Sequence, residues 1–283
     1  MRNLDRKHPM DIERQVASHY TRGGLEGAIL DALAKSGKNP DKLANTDLSG
    51  IDEFHLGWYA ETDEFARELG FSRDSHVLDV GSGIGGPARH LAVALGCRVT
   101  GIDLTEEFVR VAASLTSRCG LADRVSFRQG SALTLPFEDG TFQGAVLMHV
   151  GMNIADKATL FSEIRRVLKP GARFGVYDIM RIGEGEIPYP MPWAATQATS
   201  FVERPETYRR LLAANGFEIE KERNRRDFVL TLGREMREKV AREGMPALGL
   251  HVLDAGMPER IGNVMAVLER GTIAPVEMIA RAI

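Results

Sequence analysis

The sharpest chemical signal in this sequence combines a glycine turn with two carboxylates. The apolar run Val77–Val80 leads into Gly81-Ser82-Gly83-Ile84-Gly85-Gly86, and Asp103 follows twenty-two residues after Gly81. Glycines permit a tight turn and let a ligand approach the backbone where a Cβ would clash. A helix starting just after the turn offers unpaired amides to an anionic group. A carboxylate at the end of the next strand, Asp103, is placed to accept hydrogen bonds from two ribose hydroxyls. The chemistry indicated is the binding of a cofactor that contains a nucleoside.

Two cofactors fit the turn. Gly81, Gly83 and Gly86 satisfy G-x-G-x-x-G, which keeps a nicotinamide-dependent oxidoreductase open. Asp79, inside the strand before the glycines, argues for S-adenosylmethionine instead. A pyrophosphate gains nothing from a negative charge there, whereas a cationic amino-acid group does. Ser131 and Ala132, at the end of a third strand, form a polar-then-apolar pair suited to an adenine edge. A non-catalytic module that binds S-adenosylmethionine is the alternative outside enzymes.

His149 stands at the end of a fourth apolar strand, the edge at which open α/β sheets bind ligands. It is the expected catalytic residue, taking a proton or hydrogen-bonding the substrate; the other reading makes it a cofactor contact or part of the wall. Asn153 faces the same choice. Displacement of a sulfonium methyl chiefly requires alignment and exclusion of water, and alignment alone lowers a barrier by roughly 7–11 kcal/mol. A base is needed only where the nucleophile must lose a proton. Tyr189, Trp193, Met180 and Arg181 are expected pocket-wall residues. Arg223-Asn224-Arg225-Arg226 reads as a solvated face.

These residues need elements to hold them. Apolar residues at three- and four-residue spacing predict helices over 12–20 and 25–33, then a loop over 36–50. A further helix over 58–69 stops at Gly70. From Ser75 short apolar strands alternate with helices: strands at 76–80, 98–103, 124–130, 142–150 and 172–180, helices at 87–95, 106–118 and 155–167. Pro205 opens another helix. Strands at 217–222 and 275–282 follow, with an amphipathic helical stretch between them. The pattern predicts an α/β fold with a doubly wound, mostly parallel seven-stranded sheet. Residues 1–74 form an N-terminal helical cap, and 75–283 a catalytic domain with a helical lid at about 224–272.

Composition excludes other classes. The 283 residues are 43% hydrophobic and 27% charged with a net charge of −3, ordinary for a folded chain and without a pull toward nucleic acid. No apolar run approaches the roughly 20 residues of a membrane helix, and the charged N-terminus lacks a signal-peptide core. Cys97 and Cys119 make neither a disulfide framework nor a zinc site. His8, His19, His76, His90 and His251 are scattered, so no metal is expected. The expected setting is the cytoplasm, the expected partner a small or neutral molecule, with room for a homodimer.

In VLDVGSGIGGPARHLA, VTGIDLTEEFVRVA, LPFEDGTF, LMHVGMNIADK and EIRRVLKPGARFGVYDIM the chain resembles the class I methyltransferases. It is similar in particular to the small-molecule group containing sarcosine/dimethylglycine and ubiquinone/menaquinone methyltransferases. The resemblance implies an S-adenosylmethionine-dependent methyltransferase acting on a nitrogen, oxygen or carbon of a small molecule, with S-adenosylhomocysteine as product. It implies that Gly81, Ser82 and Gly83 line the methionine portion, Asp103 the ribose, and Leu104, Ser131 and Ala132 the adenine. Asp79, Met148 and Tyr59 complete the implied cofactor set, and His55, Trp58 and Tyr59 lie in a segment similar to the family's cofactor-capping helix. Ser131 stands where relatives carry aspartate, and Gln143-Gly144 departs from the usual aspartate.

Overall fold

The computed structural model describes residues 9–283, so His8 and the first eight residues of the expected cap lie outside the described residues. The helices before the sheet are α1 (Pro9–Tyr20), α2 (Leu25–Lys35) and α3 (Trp58–Leu69). The alternating part runs β1 (His76–Val80), α4 (Gly86–Leu95), β2 (Arg98–Asp103), α5 (Glu106–Arg118), β3 (Val125–Gln129) and β4 (Phe142–Met148). It continues with α6 (Lys157–Val167), β5 (Leu168–Arg181), α7 (Pro205–Ala214) and β6 (Phe217–Asn224). Helices α8 (Arg226–Glu243), α9 (Leu250–Leu253) and α10 (Met257–Glu269) precede β7 (Ile273–Ala282).

The sheet has the order β3-β2-β1-β4-β5-β7-β6. Strands β1 to β5 pair in parallel, and β7 runs antiparallel to both β5 and β6. The winding reverses between β1 and β4, which opens a crevice beyond their C-terminal ends. Apolar side chains cover both faces. Phe161 and Tyr208 pack with Phe174 on one, and Phe65, Leu69 and Leu91 pack with Tyr177 on the other. Each large side chain so buried contributes about 1.5–3 kcal/mol.

The start of the chain and its late insertion meet above this crevice. Ile29 and Leu33 of α2 share a core with Ile84, Phe108, Leu248 and Leu253. The Glu107 carboxylate accepts from the backbone N–H groups of Arg22, Gly23 and Leu25 at 2.8, 3.0 and 3.2 Å. It thereby serves the unpaired donors at the start of α2 and ties that helix to α5. Val229, Val264 and Leu268 of the insertion pack on Ile179, Trp193 and Ile273.

Several boundaries move for local reasons. β4 stops at Met148 rather than Val150 because His149 adopts the left-handed region, φ 53°. β5 starts at Leu168 rather than Ala172 because Leu168 itself pairs with Phe142. α6 begins at Lys157 behind Asp156, whose carboxylate accepts from Thr159 N at 3.0 Å. Gln143, one of the departures from the family pattern, accepts from His76 N at 2.7 Å, and a Cβ on Gly144 would collide with Phe71.

Arg223 and Arg225 correct the expectation of a solvated face. Arg223 reaches Glu277 and Glu64, each at 2.6 Å, and Arg225 reaches Glu61 at 2.9 Å. Glu61 and Glu277 are fully buried and Arg225 is only 11% exposed, so this network fastens α3 to β6 and β7.

Candidate active site

The turn after β1 is pinned to the end of β2. Gly81 N and Ser82 N donate to Ile102 O at 2.8 and 3.0 Å. Gly83 N donates to Asp103 Oδ2 at 2.9 Å and Thr105 N to Asp103 Oδ1 at 2.8 Å. A carboxylate has about four lone-pair sites, so Asp103 keeps acceptor capacity for ribose hydroxyls after these two bonds. Gly83 has φ 52°, and a Cβ added there would meet nothing within 4 Å, so its open side is free for a ligand. Gly86 serves packing: a Cβ there would stand 2.1 Å from Asp52 O.

A cavity of about 200 Å³ lies over this turn. Asp79, Gly81, Ser82, Gly83 and Asp103 line it together. Leu104, Ala132, Met148 and His149 join the wall. Two expected cofactor residues stand outside it. The Ser131 hydroxyl accepts from Leu133 N at 3.0 Å and donates to Glu13 of α1, which itself lines the cavity. The Tyr59 ring packs edge-on against His90, centroids 4.8 Å apart, on the flank of α3.

The charge of the wall is one-sided. Among the described residues the lining carries Glu13, Asp52, Asp79, Asp103 and Asp156 and no lysine or arginine. Asp52 is neutralised by Arg89 at 2.8 Å. Asp79 is not: it is 1% exposed and its Oδ2 has no hydrogen-bond partner. Burial, reinforced by the charges of Asp103 and Glu53, pushes its pKa up to about 7. Burial also raises the pKa of Asp103, against the backbone N–H groups that favour its charged form.

A second, smaller cavity of about 50 Å³ adjoins the first. Tyr20, Phe54, His55 and His149 line both, so these four rings frame the passage between them. His149 stacks on Tyr177 with centroids 4.9 Å apart, and its Nδ1 accepts from Leu56 N at 3.3 Å. Burial and the neighbouring His55 lower its pKa well below the ordinary histidine value, so the ring is neutral at pH 7. His55 is held by Glu53 and Thr62, each 2.8 Å from its Nε2. Trp58 and Trp193 line the second cavity.

The other expected wall residues lie elsewhere. Met180 is buried in the sheet core, Arg181 Nη1 donates to Gly185 O at 2.9 Å, and Tyr189 packs beneath the insertion without reaching either cavity. Asn153 borders the first cavity with its amide already used: Oδ1 accepts from Tyr20 at 3.1 Å and Nδ2 donates to Trp193 O at 2.8 Å. Tyr20 and Phe54 were missed as site residues. Tyr20 ends the stripe Ile12–Val16–Tyr20, whose four-residue spacing marks one helix face, and that whole face lines the first cavity. No spacing rule links Asp52 to Arg89.

Residues 78–176 match the family model described as Methyltransferase domain. Over 113 residues, 40% of this chain, the sequence is 39% identical to sterol 24-C-methyltransferase ERG6B of Gibberella zeae. The match spans 30% of that protein's length. The fold is similar to phosphoethanolamine N-methyltransferase 2 of Haemonchus contortus, with TM-score 0.71 and 21% identity over 83% of this chain and 55% of that one. It is also similar to geranyl diphosphate C-methyltransferase of Streptomyces coelicolor, solved with S-adenosyl-L-homocysteine. The TM-score there is 0.69, with 17% identity over 98% of this chain and 100% of that one. Among the described residues no helix is long and apolar enough to cross a membrane, and no group of three or more His, Cys, Asp or Glu stands together as metal ligands.

Proposed function

We propose, from the premise that this chain carries a class I S-adenosylmethionine-dependent methyltransferase domain, that it transfers a methyl group to a small molecule. The observation that carries the reading is the acidic cavity over the glycine turn, with the unpartnered, buried carboxylate oxygen of Asp79 at its floor. A cationic ligand gains there what a pyrophosphate loses. When bound, S-adenosylmethionine supplies an activated methyl on a sulfonium that leaves as a neutral thioether.

The chain's own residues then have three tasks. Asp79 faces the cationic amino-acid end, and Asp103 holds the ribose hydroxyls with its remaining lone pairs. Leu104 and Ala132, with Phe108, enclose the adenine in an apolar setting. The rings at the passage between the cavities exclude water from the reacting atoms, the condition under which alignment lowers the barrier most. Helix α1, part of the 1–74 cap, covers the cofactor, and the 224–272 insertion contributes Leu250, Ile261 and Val264 to the acceptor side.

The acceptor is a small molecule rather than nucleic acid, in keeping with the net charge of −3. The free thiols of Cys97 and Cys119 suit the reducing cytoplasm.

Calorimetric titration with S-adenosylmethionine, S-adenosylhomocysteine and NADH tests the reading. Binding of the first two alone is expected, and binding of NADH alone returns the turn to the oxidoreductases. Asp103→Ala is expected to weaken S-adenosylmethionine by about ten- to a hundredfold, the value of hydrogen bonds to a charged acceptor. Unchanged affinity would remove the ribose assignment.

A further inference from the structure

Helix α1 meets the first cavity with a face that carries a single charge. Ile12, Val16 and Tyr20 line the cavity from this helix, and Glu13 lines it beside them. Each of residues 11–20 keeps some exposure, so α1 lies on the rim of the molecule and not in its core. The end of α1 is held by His19 Nε2, 3.3 Å from Pro192 O, and by Tyr20, whose hydroxyl donates to Asn153. Nearer its start, the Ser131 hydroxyl donates to Glu13 and ties the helix to the loop after β3.

The ribose of a nucleoside cofactor lies between its amino-acid chain and its base. With the amino-acid end at Asp79 and the ribose at Asp103, the base falls beyond Asp103, among Leu104, Phe108, Ala132 and Leu133. Glu13 belongs to this far end, because its partner Ser131 directly precedes Ala132 and Leu133. The bond from Ser131 goes to Oε1 and leaves the carboxylate with further lone pairs. Among the described residues the lining holds no lysine or arginine to occupy them. A ligand filling the cavity strips water from those lone pairs, a cost offset only by a donor on the ligand. Adenine presents one such group, the exocyclic N6 amine, while its free ring nitrogens are acceptors.

We propose that Glu13 selects the adenine of S-adenosylmethionine by accepting a hydrogen bond from N6–H, so that the base is recognised by α1 and not by the sheet. The proposal rests on the methyltransferase reading above. Ser131 is the positioning residue: it donates to Glu13 while accepting from Leu133 N at 3.0 Å, which fixes the carboxylate against the adenine loop. A 6-oxo purine would turn a carbonyl oxygen toward that carboxylate and be rejected. Partners 118 residues apart thus perform what a carboxylate at the end of β3 would do alone.

The test is calorimetric titration with S-adenosylhomocysteine and with its 6-deamino analogue, in which hydrogen replaces the exocyclic amine. The parent protein is expected to bind the adenosyl ligand about tenfold or more tightly than the analogue, the value of a hydrogen bond to a charged group. Glu13→Ala is expected to bring the two affinities within about twofold of each other, by weakening the adenosyl ligand alone. Glu13→Gln, which keeps a carbonyl acceptor, is expected to retain part of the preference. A parent protein that binds both ligands alike would overturn the proposal. Equal weakening of both ligands in Glu13→Ala, or no change in either, would overturn it too, since the first assigns Glu13 to covering the cavity and the second to no contact. Absence of binding of either ligand by the parent protein would instead overturn the methyltransferase reading.

Discussion

Asp79 shows how one side chain can report on its ligand. In the free protein its carboxyl is buried beside Asp103 and Glu53, with a pKa of about 7. The native state therefore holds a proton that the unfolded chain releases in the ordinary carboxylate range. This group makes the fold progressively less stable as pH rises from that range through about 7. A bound cation reverses the preference and favours the ionised form. S-adenosylmethionine affinity is accordingly expected to rise with pH up to about 7, by as much as about tenfold per unit at the acidic end, and then to level off. Calorimetry between pH 5 and 8 in buffers of different ionisation enthalpy would show proton release at the acidic end. Asp79→Asn is expected to flatten the profile, and a profile still sloping in that variant would assign the proton elsewhere. His149 is the contrasting residue: burial and the neighbouring His55 lower its pKa well below the ordinary histidine value, so the ring is neutral near pH 7.

At the scale of elements, the site depends on how closely the 52–55 segment crosses the start of α4. Gly86 permits that crossing, since its missing Cβ leaves room for Asp52 O. Asp52 in turn holds Arg89 of α4, and Phe54 and His55 beyond it line both cavities. Gly86→Ala is expected to cost about 1–3 kcal/mol through overpacking. It should also weaken S-adenosylmethionine several-fold, because the displaced segment carries part of the wall. Thermal unfolding and calorimetry on the same sample check both, and a variant with unchanged Tm would show that the segment shifts freely. The last glycine of G-x-G-x-x-G thus serves chain crossing here, while Gly83 keeps an open side at the cavity.

At the scale of the molecule, the Arg223, Arg225, Glu61, Glu64 and Glu277 network fastens α3 to the antiparallel edge of the sheet. Removing Arg225 leaves Glu61 buried and unpaired, and Arg225→Ala is expected to lower the unfolding free energy by about 3–5 kcal/mol. Urea unfolding measures it. Replacing Arg225 and Glu61 together by apolar residues should recover most of the loss, because a buried pair replaced whole is often neutral. A double variant as unstable as the single one would locate the effect in Glu64 instead. The cover over the crevice is likewise built from distant segments, α2 from the start of the chain and Leu248 and Leu253 from the late insertion.

The sequence by itself determined the strands, most of the helices and the glycine–carboxylate signature, because periodicity and turn chemistry are local and survive without knowledge of partners. Helix α5 and strands β1 and β2 fall where the residue pattern put them, and Asp79, Gly83 and Asp103 meet because one strand–turn–helix unit adjoins the next strand. Tertiary structure alone decided what lies across from what. Ser131 met Glu13 of α1 and Tyr59 packed on His90, Tyr20 and Phe54 arrived at the passage between the cavities, and Arg223 and Arg225 found buried glutamates. It also decided which nitrogen of His149 carries the proton, since the donor that settles it, Leu56 N, comes from a segment 93 residues away. Such pairings depend on burial and on contacts between distant segments, neither of which leaves a period in the chain.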